Sequence, residues 1–306
     1  MNRPPPAPRG NGVGVIGAGA MGMGVVRSLL RGGFATRVRD TRPEAEREAA
    51  TLGAAIDATP AELAAACAVT IVLVVDARQV DDVLFGPGGA AAALPPAGIV
   101  VVSSTIDPDD VAALAARVAA TGGTFVDAPV SGGPARAADG SMTIMAAGDD
   151  TALERCDAVF RTIAGRVFRV GTRAGDAAKF KIVNNLLAAV NLAAGAEALA
   201  LAAKAGLDPR QVVDVVNASS GGSWIFADRM PRALDGDYAP RAAARVLTKD
   251  VGIAVDFARR LGVDAAFARA ASDAFRATVA AGLGEEDDAA IYKWNRARAG
   301  MSNGEL

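Results

Sequence analysis

The segment Gly12-Val-Gly-Val-Ile-Gly-Ala-Gly-Ala-Met-Gly-Met-Gly24 constrains the chain more than any other stretch. A short apolar strand runs into a glycine-rich turn, and the turn opens a helix whose apolar residues continue from Val25 to Leu30. Within it, Gly17, Gly19 and Gly22 form G-x-G-x-x-G. The first glycine permits the tight turn, the second lets a ligand approach the backbone, and the third lets helix and strand pack closely. The helix N-terminus offers unsatisfied N–H groups and a partial positive charge, which suits a pyrophosphate. A second strand, Ala35-Thr-Arg-Val-Arg-Asp40, ends in a carboxylate where an acid hydrogen-bonds the adenosine ribose of a dinucleotide. Asp40 therefore favours NAD over NADP by repelling the extra phosphate, although Arg39 and Arg42 stand close enough to bind that phosphate instead.

From Gly12 to about Gly171, short apolar runs alternate with helical segments. The expected strands are Val13–Ile16, Thr36–Arg39, Val69–Val75, Ile99–Ser103, Thr124–Ala128, Met142–Ala147 and Val167–Val170. This is the rhythm of a doubly wound, mostly parallel α/β sheet, a Rossmann domain. Helix starts are signalled at Thr59-Pro, Asp107-Pro and Asp149-Asp, each with a capping oxygen and acids in the first turn. After Gly171 the strand signal stops. An Ala/Leu-rich stretch from Asp176 to Ala205 predicts one long helix, and further helices are expected at 208–217, 249–261, 265–281 and 287–298. The expected organisation is a leader at 1–11, a dinucleotide-binding domain at 12–173 and an all-α domain for substrate and oligomerisation at 174–306. Thirty residues of helix span about 45 Å, more than a small domain buries alone, so packing against a second subunit is expected.

With 306 residues, 51% of them apolar, the chain can bury two domains' worth of core. A net charge of −2, with Arg-rich stretches interleaved with Asp and Glu, argues against a nucleic-acid partner and for a small ligand. The two cysteines, Cys67 and Cys156, lie in apolar surroundings without metal-type spacing and read as small buried hydrophobes in a reducing compartment. The Pro-rich leader lacks the apolar stretch of a secretion signal, and no uninterrupted run of roughly 18 apolar residues suggests a membrane span. A disordered tail on a cytoplasmic protein is expected. The chain contains no histidine. That removes the usual general base, the commonest metal ligand and the His-dependent nucleophilic systems, and no metal site is expected. Proton transfer must fall to Lys, Asp, Glu or Tyr.

In open α/β sheets ligands bind beyond the carboxyl ends of the strands. Two loops there carry chemistry: Val101-Val-Ser-Ser-Thr-Ile-Asp-Pro108 and Asp127-Ala-Pro-Val-Ser-Gly-Gly-Pro134. Ser131, Gly132 and Gly133 offer a hydroxyl and closely spaced N–H groups that could hold a carboxylate; a tight turn that needs glycine is the simpler alternative. On the long helix, Lys181 and Asn185 are four apart and share a face, so an ammonium and an amide can converge on one oxygen. Lys179 lies about 200° around the helix from Lys181 and cannot join them.

Together, Gly17-Ala-Gly-Ala-Met-Gly22, Asp127-Ala-Pro-Val-Ser-Gly-Gly133 with Gly140 downstream, Lys181-Ile-Val-Asn-Asn185 and Lys249-Asp250 resemble the β-hydroxyacid dehydrogenases, the family related to 3-hydroxyisobutyrate dehydrogenase, in order and spacing. Within that family, Met21-Gly-Met-Gly24, Ser223-Trp-Ile-Phe226, Asp235-Gly-Asp-Tyr238 and Glu286-Asp-Asp288 look most like the L-threonate dehydrogenase branch, whereas Asn184-Asn185 matches the wider family better and Arg136 stands in the substrate loop. The resemblance implies a Rossmann domain, an all-α domain sharing the active cleft, and a homodimer or homotetramer. It implies that Lys181 transfers the proton, that Asn185 orients substrate, and that Ser131, Gly132 and Gly133 hold its carboxylate. Trp224 and Phe226 would wall the pocket, although aromatics at this spacing are as often core. Gly17, Gly19, Ala20, Met21, Gly22, Asp40, Val75, Thr105 and Lys249 would contact the cofactor; for Lys249 an ion pair with Asp250 is the alternative.

The implied reaction is NAD-dependent oxidation of a small hydroxy acid, with L-threonate as the first candidate. 3-Hydroxyisobutyrate or tartronate semialdehyde chemistry and imine reduction are alternatives. A lysine base must first shed its proton, which its ordinary pKa near 10.4 opposes; the ammonium form suits the reductive direction as it stands. Imine reductases share the layout but carry Asp or Tyr in place of the lysine. A non-catalytic dinucleotide-binding scaffold is a further alternative, against which Lys181 and the Ser131–Gly133 loop argue.

Overall fold

The computed structural model describes residues 12–301, and the Pro-rich leader lies outside them. By compactness the chain divides into two units after Lys181.

Among the described residues the first unit is built on nine strands: β1 Gly12–Ile16, β2 Thr36–Arg39, β3 Ala55–Ile56, β4 Cys67–Val72, β5 Ile99–Val102, β6 Thr124–Asp127, β7 Val130–Ser131, β8 Met142–Ala147 and β9 Ala164–Gly171. Their order is β3-β2-β1-β4-β5-β6-β8-β7, with β9 also paired to β8. Strands β3 to β6 run parallel, β6 and β7 meet β8 antiparallel, and β9 returns parallel to β8. The interleaved helices are α1 Ala20–Arg31, α2 Pro43–Thr51, α3 Pro60–Ala65, α4 Ala77–Phe85, α5 Pro108–Ala120, α6 Gly133–Asp139 and α7 Asp150–Ile163. The expected Rossmann architecture is present. Two short strands, β3 and β7, carried too few residues to register as apolar runs.

Both faces of the sheet are covered, and the residues explain it. In β5, Ile99 and Val101 join the core that holds Val25, Leu29 and Phe160, while Val100 and Val102 join the one that holds Leu63, Leu84 and Val111. A strand buried on both sides reads as a continuous apolar run, as this one does. The three expected caps form as read. Thr59 Oγ1 accepts the Glu62 N–H, Asp107 accepts the Asp109 N–H, and Asp149 accepts those of Thr151 and Ala152, each contributing about 1 kcal/mol. Cys67 and Cys156 are buried free thiols, and burial pushes both up to about 12.

The long helix α8, Asp176–Lys204, begins in the first unit and continues into the second. The second unit continues with α9 Pro209–Asn217, α10 Trp224–Leu234, α11 Ala244–Arg260, α12 Ala266–Thr278 and α13 Ile291–Arg298. It contains no strand among the described residues. Helix α10 falls where the sequence reading left a loop, because Gly221 and Gly222 before it and Pro231 within it mask the helical pattern. Helix α8 is long and apolar enough to cross a membrane by length and composition, with a mean hydropathy of 1.8 over the relevant window. Asn184, Asn185, Asn191 and Glu197 interrupt it, and Ala189, Leu192, Ala196 and Leu199 enter the core of the second unit. One face of α8 thus packs into that core, while Phe180, Val183, Leu187 and Leu201 stay exposed on the rest of it.

That core also encloses ions. Arg229 donates to Asp288 at 2.6 Å, Arg232 pairs with Asp287 at 3.4 Å, and all four side chains are buried. Burial pushes the Asp288 carboxyl up while Arg229 pulls it back. Asp287 also accepts the N–H groups of Arg241 and Ala242. The Glu286-Asp-Asp288 motif therefore supplies an internal clamp of the helical unit.

Candidate active site

At the switch point of the sheet, the connections leaving β1 and β4 run in opposite directions, which is where open α/β sheets bind their ligands. The glycines of the first loop each answer a different demand. Gly17 has φ +93°, and a Cβ there would stand 2.5 Å from the Leu73 carbonyl oxygen beyond β4. A Cβ on Gly22 would fall 1.9 Å from the Gly17 oxygen, so no side chain fits between strand and helix. Gly19, the residue before α1, meets nothing nearer than the Arg42 guanidinium at 3.9 Å, leaving its backbone open to a ligand. Ala20 and Met21 form the first turn of α1. A cleft of about 500 Å³ opens there, lined by Ala18, Gly19, Ala20, Met23, Arg42 and Pro134 among others.

Asp40, just beyond β2, is buried, and its carboxylate accepts the Ala18 N–H at 2.7 Å and the Arg42 backbone N–H at 2.9 Å. The Arg42 guanidinium bonds both its oxygens. Burial pushes this carboxyl upward, but the Arg42 guanidinium and the two N–H groups outweigh it and hold it below the usual range. Arg39 is turned to Glu46 at 2.6 Å, which leaves Arg42 as the cation on the Asp40 side chain. Val75 donates its N–H to Gln79, and Ser104 Oγ accepts the Val74 N–H at 3.0 Å, tying the loop after β4 to the loop that carries Thr105. The open backbone at Gly19, the helix N-terminus behind it and the carboxylate at Asp40 fit a dinucleotide, with NAD as the form its charge accepts.

Ser131, Gly132 and Gly133 lie where β7 turns into α6; Gly132 precedes the helix with φ +132° and Gly133 has φ +76°. The strained turn and the helix start thus coincide. Lys181 is buried, at 8% exposure, whereas Lys179 points outward and pairs with Asp176 at 3.0 Å. The two lysines thus lie on different faces of α8.

In the helical unit, Asn185 donates from Nδ2 to Asp250 Oδ2 at 2.6 Å and accepts from Asn184 at 3.0 Å. Lys249 Nζ lies 2.6 Å from the other Asp250 oxygen. Buried Asp250 therefore fixes both the amide and the ammonium, a role the sequence reading gave only as an ion pair. The signal available was the Lys249-Asp250 doublet, but nothing in spacing brings Asn185 to it. Trp224 begins α10 half-exposed, whereas Phe226 is packed in the core of the helical unit against Gly195. Phe226 is thus a packing residue there, and the i, i+2 spacing sent the two aromatics to different surroundings.

Two family models match in succession. Residues 12–171 match the NAD binding domain of 6-phosphogluconate dehydrogenase, and residues 175–295 match the domain described as NAD-binding of NADP-dependent 3-hydroxyisobutyrate dehydrogenase. The L-threonate dehydrogenase of Cupriavidus necator is 46% identical over 92% of this chain and 95% of its own length. The chain belongs to the 3-hydroxyisobutyrate dehydrogenase-related family, in its threonate branch. The L-threonate dehydrogenase of Escherichia coli K12 is 42% identical over 92% of this chain and 93% of its own. The crystal structure of 3-hydroxyisobutyrate dehydrogenase from Salmonella typhimurium superposes with a TM-score of 0.88 at 40% identity, covering 93% of this chain and all of that one. As a 3-hydroxyisobutyrate dehydrogenase-related protein the chain is an NAD-dependent hydroxyacid dehydrogenase acting on a CH–OH group.

Proposed function

We propose that the chain oxidises L-threonate, or a small hydroxy acid of closely similar shape, with Lys181 as its acid/base. The observation that carries the reading is Lys181 itself, buried on α8 one helical turn before Asn185, in a chain without histidine that is 46% identical to an L-threonate dehydrogenase. The nicotinamide of bound NAD supplies the hydride acceptor. As the C–H bond of the carbinol carbon breaks with its electron pair, the hydroxyl proton passes to the amine of Lys181 and a carbonyl forms. Ser131 and the N–H groups of Gly132 and Gly133 hold the substrate carboxylate, and Asn185, its amide held by Asp250, directs its remaining N–H to a substrate oxygen. In the reverse direction the ammonium of Lys181 returns the proton. Copies of the chain associate through the exposed apolar face of α8, where Phe180, Val183 and Leu187 recur at helical spacing.

The test is initial-rate NADH or NADPH formation with L-threonate, D-threonate, 3-hydroxyisobutyrate, glycerate and 4-hydroxybutyrate. Lys181→Ala should lower kcat on the preferred acid by about 10²- to 10⁴-fold while leaving NADH binding within a factor of two. Near-normal turnover in that variant would end the acid/base assignment. Activity on cyclic imines with none on hydroxy acids would transfer the fold to imine reduction, a chemistry named for a similar structure from Streptomyces aurantiacus at 26% identity.

A further inference from the structure

The start of α8 is held from two sides by the same loops that carry the site residues of the first unit. One carboxylate oxygen of Asp127, the last residue of β6, accepts the N–H of Gly175 at 2.9 Å and that of Ala178 at 3.0 Å. The side chain is 1% exposed. On the other side, Gly175 has φ +94°, and a Cβ there would meet the Pro108 carbonyl oxygen at 2.7 Å, at the end of the Thr105 loop. The helix therefore has one seat, and Lys181 lies one turn beyond it. Asp127 also opens the Asp127–Gly133 segment through its backbone, so one residue joins the substrate loop to the lysine's helix.

We infer that Asp127 is a positioning residue for the reaction: its carboxylate sets the first turn of α8, and with it Lys181, relative to the Ser131–Gly133 loop. The inference rests on the reading of Lys181 as acid/base. A group misplaced by about 1 Å can cost on the order of 100-fold in rate, because reacting atoms must meet in a near-attack geometry. A helix whose first-turn N–H groups lose their acceptor can shift or fray by that much.

Two substitutions separate this role from simple stabilisation. Asp127→Ala removes the acceptor; Asp127→Asn keeps a carbonyl oxygen able to take both N–H groups, as one carboxylate oxygen does in the wild type. Asp127→Ala should lower kcat by roughly 30- to 100-fold, counted on the folded fraction, with the NADH dissociation constant within about twofold and faster amide hydrogen exchange over residues 175–181. Asp127→Asn should restore kcat to within about threefold. Should Asp127→Ala fail to fold, Ala178→Pro removes one of the two N–H groups at a first-turn position where no intrahelical bond is lost, and it should lower kcat in the same direction. Wild-type kcat and wild-type exchange in folded Asp127→Ala, beside an inactive Lys181→Ala, would overturn the positioning role alone. Near-normal turnover in Lys181→Ala would overturn the lysine reading and this one with it.

Discussion

At the residue scale, we propose that the pair Asp40 and Arg42 selects between the two dinucleotides. The carboxylate already engages the guanidinium, so the charge that would greet a 2′-phosphate is neutralised in place. Asp40→Asn removes that partner and leaves Arg42 beside the ribose position. The expected outcome is NADH binding weakened and NADPH binding tightened, each by about tenfold or roughly 1.4 kcal/mol, read by fluorescence titration and by competition with 2′,5′-ADP. An unchanged ratio of the two affinities would show that another group reads the phosphate. The acid at the end of the second strand was legible in the sequence because its distance from the glycine turn is set by one βαβ unit. Its clamp by Arg42 was legible only as proximity, since two residues apart says nothing about where a long side chain turns. Asp250 lay further out of reach: its contact with Asn185 spans 65 positions and joins two helices by packing alone.

At the scale of elements, the capped helices were readable because a cap is a local interaction, decided within four residues. Helix α10 was not, since its stability comes from burying Ile225, Phe226 and Met230 rather than from its own propensity. The junction between β6 and α8 is a third case, visible as a motif but not as a contact. There burial pushes the Asp127 carboxyl up to about 6, against the pull of the N–H groups it accepts. The folded state thus keeps its proton through a window, from the ordinary value near 3.8 to about 6, in which the unfolded chain has released it. Stability from this group is therefore greatest at low pH and declines as pH rises through that window, by roughly 3 kcal/mol at most. Asp127→Asn does not titrate, so its stability should gain on that of the wild type by about 2 kcal/mol between pH 4 and 7 in urea unfolding. A constant difference across that range would mean that the carboxyl titrates normally.

For the whole molecule, the fold class followed from alternating patterns that any doubly wound sheet must carry, and the all-α half from the place where strand signals cease. Which face of the long helix is covered did not follow, because apolar residues recur all round it and periodicity cannot choose among them. Phe180, Val183 and Leu187 are each more than half exposed in one chain. Leu187→Glu should lower the oligomeric mass in analytical ultracentrifugation at micromolar concentration and leave the far-ultraviolet circular dichroism unchanged. A mass identical to that of the wild type would move the contact to another face.

The two cysteines offer a practical handle. Both thiols are buried and pushed up to about 12, so neither is available to maleimide chemistry at neutral pH. A thiol introduced at Arg78 and another at Phe267, each strongly exposed and one in each compact unit, would be the only labelling points without any need to remove the native pair. A dye on either thiol would then report NADH binding to the intact chain as a change in its fluorescence anisotropy, with no native sulfur competing for the label.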